Sequence, residues 1–502
     1  NLGLMPFILD EATRANVALE MLYSGNFTVP TINGEFYYNK PPLFNWIQLL
    51  FVQITGSNNE LVFRLPTVLS LVFFSLTIYI TQKKEAGRNV ALFSALAFLT
   101  CGRILLYDSF HGLIDISFSW VIYLMFWYIY SYGRRKEYFN LFMVVYLLAT
   151  IGFMMKGLPA LVFLGISLLV YFIYQGEFKK LFSLEHLAGF ALLLVIIGMY
   201  LYAYSRYNTL DNYFQTLWSE SSKRTFIDNS LWESIKHLFL FPLDFLYHFL
   251  PWTLFLFLFL FKGARKTILQ DEFGKFSLII FIFNILVYWL SPAIYPRYLF
   301  MFLPLGFYVI FFALFNSDNS ERYRMYTERI LKYFILILIL LILAIPFIAS
   351  REIYEHFYLK YFLVLLLSAP VFYLVMYSKV SRILIFVGVL LVSRIAFNWF
   401  VLPDRIENGT DLYQKNGALV AAELSGSKPL YLLGDTRIHH ASTYYIMKTR
   451  KQVLRRWYEE PRNNHLYIVE QENLKALPEH EVIFTFETRI EALKLCLVRF
   501  GP

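Results

Sequence analysis

The sequence predicts an α-helical membrane protein that crosses the bilayer many times and carries a small soluble α/β domain at its C-terminal end. Three observations predict this class. The 502 residues are 58% hydrophobic and 16% charged, where ordinary soluble domains carry about 25% charged residues. Apolar runs such as "LPTVLSLVFFSLTIYITQ" (Leu65 to Gln82) and "ILKYFILILILLILAIPFIA" (Ile330 to Ala349) approach or reach the roughly 20 residues a helix needs to cross hydrocarbon. From about Pro403 such runs cease, and short strand-like segments alternate with helical ones.

The first element is a polar loop starting at Asn1, and a membrane helix upstream of this numbering is expected. Residues 1–64 read as an outer-face loop with two interfacial helices. In the first, "DEATRANVALEMLYSG", Val17, Met21 and Leu22 recur at helical spacing. The second, "KPPLFNWIQLLFVQITG", is started by Pro41 and Pro42. Spans are then expected at about 65–82, 89–106, 113–132, 139–155, 157–175, 187–205, 246–262, 276–290, 298–316, 331–349, 359–377 and 383–402. Residues 65–402 therefore form the transmembrane domain, and 403–502 a soluble domain with strands at "PLYLLGD", "HLYIVE" and "EVIFTF".

Charge supplies orientation. A net charge of +9 could suggest nucleic acid, but the basic residues stand in short clusters between apolar runs, at Lys83, Lys84 and Arg88, at Arg134 to Lys136, at Lys179 and Lys180, and again at Lys262, Arg265 and Lys266, at Arg322, Arg324 and Arg329, and at Lys379 and Arg382. If every segment spans, all of them fall on one face, as cytoplasmic loops require. Nucleic acid is excluded as a partner, and 1–64, 206–245 and the C-terminal domain go to the outer face. Cys101 and Cys496 imply no disulfide framework.

A few polar groups on the outer side need a reason, because charge near a membrane core is costly and marks function unless it pairs or snorkels. Asp10 and Glu11 stand a turn before Arg14, which could equally be a helix start complementing its dipole. Lys40 precedes a proline-started helix, where free N–H groups suit a phosphate, although a lone lysine there can simply snorkel. Asp115 sits at the outer end of a span and could serve as a cap or distant ion partner. Lys156 lies in a tight apolar turn, and Arg224 and the pair Arg297–Tyr298 add to the same face. Carboxylates and cations converging on an outer cavity suit transfer from a lipid-linked phosphate donor: cations neutralise the leaving phosphate and a carboxylate takes the acceptor's proton. A lipid or anion transporter would use the cations equally well and the acids less. Asp435, His439 and His440 lack metal-ligand spacing and read as surface residues.

The stretch "DEATRANVALEMLYSGNFTVPTINGEFYYNKPPL" resembles the first outer loop of the GT-C polyprenyl-phosphate-sugar glycosyltransferases, in the branch of the lipid A aminoarabinose transferases and, more distantly, the protein O-mannosyltransferases. The resemblance continues at "LID", "MMKGLPAL", "HFLPW" and "PRYLF". It implies thirteen spans with a small soluble domain after the last. It also implies an inverting transfer of a sugar from an undecaprenyl-phosphate-like donor to lipid A, a lipid-linked glycan or a protein hydroxyl, on the periplasmic face of a bacterial inner membrane. By this resemblance Asp10 is the catalytic carboxylate and Glu11 supports it. Lys40, Arg14, Lys156, Arg224, Arg297 and Tyr298 are expected around the donor phosphate, and Asp115 supports the active site. The chain departs from the aminoarabinose branch at Thr13, where that branch carries arginine, and at Asn39, where glutamate often precedes the lysine. No metal ligands are assigned, and a divalent cation stays open as a cofactor. Membrane lipids are the remaining expected partners.

Overall fold

Gly87 breaks the first long apolar helix, because its left-handed φ of 78° is a conformation that side-chain-bearing residues avoid. The computed structural model that shows this describes residues 2–501 apart from 9, 223–230, 293, 319, 349–354, 379 and 489–492. Before the break come helices α1 (Asp10–Ser24) and α2 (Leu43–Thr55), joined through a small hairpin of β1 (Thr31–Ile32) and β2 (Glu35–Phe36). The broken helix itself is α3 (Glu60–Thr100). The helical body continues with α4 (Gly102–Leu106), α5 (Asp115–Arg134), α6 (Tyr138–Lys156), α7 (Pro159–Tyr174), α8 (Leu184–Ser205), α9 (Asp211–Ser222) and α10 (Leu231–His248). It then runs through α11 (Lys262–Gln270), α12 (Glu272–Trp289), α13 (Leu303–Asn316), α14 (Ser320–Leu343), α15 (Ile345–Ile348), α16 (Phe357–Tyr377) and α17 (Arg382–Phe400).

Among the described residues, seven helices are long and apolar enough to cross a membrane on their own, and eight if one bent pair counts as a span. The twelve expected spans differ from this for local reasons. The expected spans 65–82 and 89–106 lie mostly on the two segments of α3 that meet at Gly87. Helix α7 has only 16 residues, and α5 carries Asp115, Ser117 and Ser119 in its first turns. The expected span 246–262 is not one helix: it straddles a 119° bend between Trp232–His248 and Trp252–Leu260. Pro251 there offers no backbone N–H. Backbone freed by the bend is satisfied inside the protein, as membrane depth demands. Gly102 N donates to Leu250 O at 2.6 Å and Thr253 Oγ1 to Leu246 O at 2.6 Å.

The C-terminal domain follows through α18 (Leu402–Glu407), α19 (Thr410–Ser425) and α20 (His440–Arg450), with strands β3 (Leu430–Leu433), β4 (Arg455–Trp457), β5 (Leu466–Glu470), β6 (His480–Glu487) and β7 (Lys494–Phe500). The sheet order is β4-β3-β5-β7-β6. Strands β4, β3 and β5 are parallel, and β7 runs antiparallel to both β5 and β6. The alternating apolar residues of the sheet meet α19 and α20 on one face, where Leu430, Leu432, Ile468 and Leu497 share a core with Ala418, Ala421 and Tyr445.

That same core includes Ala12, Ala15, Val17, Leu19 and Met21 of α1. Helix α1 is thus clamped between α2 and α20, with ten of its fifteen residues buried, and is more covered than an interfacial helix resting on lipid. Polar contacts fix the clamp. Asn16 Nδ2 donates to His440 O at 2.8 Å, Tyr445 accepts from Phe7 N at 3.0 Å, and Glu60 holds both Lys415 at 2.7 Å and Lys448 at 3.0 Å. The helix that begins with Asp10 is therefore positioned by the C-terminal domain and by the helical body together.

Candidate active site

Asp10 opens α1 with its side chain 63% exposed, yet one oxygen is held: Arg297 Nη2 donates to Asp10 Oδ2 at 2.6 Å. Arg297 itself is nearly buried, because the short 3-10 helix Pro296–Phe302 packs against α5. Its Nε lies 3.1 Å from Asp115 Oδ2 without hydrogen-bond alignment, so this second contact is one of charge. The other oxygen of Asp115 accepts from Lys156 Nζ at 2.5 Å. Lys156 ends α6 and rests 3.8 Å from the centroid of the Tyr298 ring, while the Arg297 guanidinium stacks 4.3 Å from that of Tyr295. Residues from four distant parts of the chain thus form one continuous chain of charge, Asp10–Arg297–Asp115–Lys156.

Two further cations border this chain. Lys40, after the β1–β2 hairpin, is within charge range of Asp115. Arg14 is one turn below Asp10 and buried to 3% exposure. Its guanidinium lies over the Tyr37 ring at 5.0 Å and Nη2 donates to the Tyr37 hydroxyl. Nη1 is buried with no hydrogen-bond partner among the described residues. Leaving a charged donor unsatisfied is costly, and an anion at this position would relieve it.

Glu11 behaves differently from its neighbour. Both its oxygens are used inside the protein: Arg64 binds it in a two-pronged pair at 2.8 and 3.0 Å, Gly112 N donates at 2.8 Å and Ile8 N at 3.0 Å. Burial pushes the Glu11 carboxyl up, but the charges of Arg64 and His111 and these hydrogen bonds hold it below the usual carboxylate range. Arg64 also donates to the carbonyls of Leu2, Met5 and Pro6. This pair ties the approach to Asp10 onto the loop that leads to Asp115, and leaves Glu11 no free oxygen to offer a substrate. Gly112 keeps the tie close, since a Cβ there would sit 3.0 Å from Phe63 O and push that backbone away by a few tenths of an ångström.

The structure brings Asp10, Asp115, Lys156, Arg297 and Tyr298 together, with Lys40 and Arg14 beside them. Arg224 lies outside the described residues. Among the described residues no group of three His, Cys, Asp or Glu side chains is placed to hold a metal ion. Three neighbours were not singled out by the sequence. Arg64 is one of them. Asp108 reads as a loop cap, yet burial pushes it up to about 6 despite Arg103 only 2.6 Å away, and it is within charge range of Asp115 and Arg297. His440 reads as surface, but α20 carries it into charge range of Arg14 and Asp10.

His440 gives the clamp a pH dependence. Burial, with help from the charges of His439 and Arg14, brings its imidazole down to about 4, against the pull of Asp10. In the unfolded chain it takes a proton near 6.5. Stability is therefore lost as pH falls from 6.5 and levels off below 4, by about 2 kcal/mol at pH 5. Thermal midpoints measured between pH 7.5 and 4.5 are expected to fall less steeply in His440→Gln than in the native protein.

The sequence and the fold have known counterparts. Residues 39–203 match the sequence family described as Dolichyl-phosphate-mannose-protein mannosyltransferase, a stretch that contains Lys40, Asp115 and Lys156. An uncharacterized protein of Aquifex aeolicus is 28% identical over 293 residues, 58% of this chain and 56% of that relative. The undecaprenyl phosphate-alpha-4-amino-4-deoxy-L-arabinose arabinosyl transferase of Erwinia tasmaniensis is 30% identical over 182 residues, 36% of this chain and 33% of its own length. The chain thus spans about half of one curated relative and a third of the other. The crystal structure of ArnT from Cupriavidus metallidurans bound to undecaprenyl phosphate superposes with a TM-score of 0.73 and 18% identity, covering 100% of this chain and 96% of that one. The multi-span helical fold with its small C-terminal sheet domain, expected from the sequence, is therefore the fold of that ArnT structure.

Proposed function

We propose that this chain is an inverting glycosyltransferase that moves a sugar from a polyprenyl phosphate to an acceptor at the periplasmic face of a bacterial inner membrane. The observation that carries the reading is Arg297, one guanidinium shared between the exposed Asp10 and the buried Asp115–Lys156 pair. A donor phosphate arriving at Arg297, Lys156, Lys40 and the unfilled Nη1 of Arg14 competes with Asp10 for Arg297. Donor binding thereby frees Asp10 to face the acceptor. An acceptor hydroxyl then attacks the anomeric carbon, the bond from that carbon to the phosphate oxygen breaks with its electron pair leaving on the phosphate, and Asp10 takes the hydroxyl proton. The cations stabilise the charge that develops on the leaving oxygen.

Room for the lipid carrier is consistent with this. An apolar groove of 730 Å³ runs between α7 and α12, lined by Ile166, Val170, Ile173, Phe283, Val287 and Leu290. Helix α7 starts three residues after Lys156, and Leu290 precedes Arg297 by seven, so both helices that line the groove are joined by short stretches of chain to the cation cluster. A polyprenyl chain fits such a surface without sequence-specific contacts.

The relatives named for aminoarabinose transfer motivate lipid A as one acceptor, and lipid-linked glycans and protein hydroxyls are the others. Purified full-length protein is to be given radiolabelled polyprenyl-phosphate sugars with lipid A, peptides or lipid-linked glycans in turn. Label is expected to appear in one acceptor class, with inversion at the anomeric carbon. Retention of configuration would refute direct displacement.

A further inference from the structure

Helix α14 carries its charge on a single face. Glu321, Arg324, Met325, Glu328, Arg329, Lys332 and Tyr333 follow one another at three- and four-residue spacing, which places them in one line along a helix. Together with Arg382 at the start of α17 they line a polar cavity of 590 Å³. Four cations meet two carboxylates there, and among the described residues no ion pair within 4.0 Å joins these six. Arg382 is anchored from behind, since its Nη1 donates to the carbonyls of Val375 and Leu374 near the end of α16. A cationic concavity of this kind holds an excess of positive charge that the protein does not itself neutralise.

Its depth is set by α17. That helix leaves the cavity at Arg382 and runs to Phe400, where the chain enters the C-terminal domain. On the way Arg394 donates to Leu105 O and stacks on Phe110, beside the loop that leads to Asp115. Nineteen helical residues rise about 28 Å, close to the roughly 30 Å of bilayer hydrocarbon. The cavity therefore lies at headgroup depth in the leaflet opposite Asp10. From the Arg329–Tyr333 edge of this face, Tyr333, Ile337, Leu340 and Leu341 follow at three- and four-residue spacing and are 53–63% exposed, giving an apolar track that leads from that edge of the cations toward the membrane centre.

We infer that this cavity is a binding site for an anionic phospholipid, with the headgroup phosphate among Arg324, Arg329, Lys332 and Arg382 and an acyl chain along the exposed face of α14. Basic pockets between membrane helices are suited to such headgroups. The apolar track distinguishes a lipid from a free phosphate, which would have no use for it. The site is separate from the catalytic cluster and does not depend on the activity proposed above.

The test uses full-length protein in nanodiscs of phosphatidylcholine containing a minor fraction of phosphatidylglycerol or cardiolipin, with retained lipid counted by native mass spectrometry. The native protein is expected to retain anionic lipid selectively. Replacing Arg324, Arg329 and Lys332 together by Gln should weaken retention roughly 100-fold, at the strength each cation has near a membrane surface. The opposite change, Glu321→Gln with Glu328→Gln, removes only negative charge and should strengthen it, so the inference stays testable if the triple variant fails to fold. Inorganic phosphate at millimolar concentration should leave the lipid in place. Equal retention in the native and carboxylate-free proteins would overturn the inference. So would displacement of the lipid by inorganic phosphate.

Discussion

Asp10→Asn is expected to lower turnover by about 10²- to 10⁴-fold, the range over which a positioned proton acceptor works, while donor affinity is kept or raised, since the donor no longer competes with a charged Asp10 for Arg297. Asparagine keeps the size of the side chain, and its carbonyl can still accept the Arg297 hydrogen bond seen at 2.6 Å. What it loses is the ability to take a proton. Because Asp10 is 63% exposed and Arg297 keeps Asp115 as a second acidic neighbour at 3.1 Å, folding should be little affected, and a near-normal thermal midpoint is part of the expected result. The size of the defect also identifies the acceptor. A hydroxyl nucleophile needs the base, whereas an acceptor that is already a phosphate anion does not, and its transfer would fall only slightly.

Arg297→Lys should produce the complementary pattern. A lysine has one point charge and cannot hold Asp10 and Asp115 from two edges of a plane as guanidinium does. The leaving phosphate then loses a charged donor, a change that costs about 10²- to 10³-fold in turnover at comparable sites. Donor binding should weaken as well, in contrast to Asp10→Asn. Kinetics and donor titration on both variants separate the two roles: one residue handles the acceptor's proton and the other the donor's charge. If the two variants gave the same pattern, that division would be wrong.

The same comparison shows what a linear sequence makes legible. Asp10, Lys40, Asp115, Lys156 and Arg297 are readable as candidates because charge beside apolar runs is expensive and therefore conspicuous. Their joining is not, because Arg297 meets Asp10 across 287 positions of chain. The two acids of the opening motif look alike in sequence, and only the fold separates them. Glu11 points inward to Arg64 and the N–H of Gly112, while Asp10 stays open. His440 reads as a surface residue for a related reason: it stands in an ordinary soluble segment and comes into charge range of Arg14 and Asp10 only because α20 packs on α1. Hydropathy located most of the helices but could not foresee the bend at Leu250–Pro251. The apolar composition of 246–262 is the same whether the backbone runs straight or turns within the protein. Nor could it show that α1 is enclosed, since alanines such as Ala12, Ala15 and Ala18 permit close approach without announcing it.

The most direct test of the central claim is a single-turnover experiment with purified full-length protein, in lipid, and a polyprenyl phosphate carrying a radiolabelled sugar. Donor binding and label transfer to the acceptor are followed in native protein and in Asp10→Asn. Both proteins are expected to bind the donor, and rapid label transfer with release of polyprenyl phosphate is expected only in the native one when the acceptor is a hydroxyl. Donor bound by both with no label moved in either, across every acceptor class, would contradict the central claim and leave the cation cluster as a lipid-binding site without transfer chemistry.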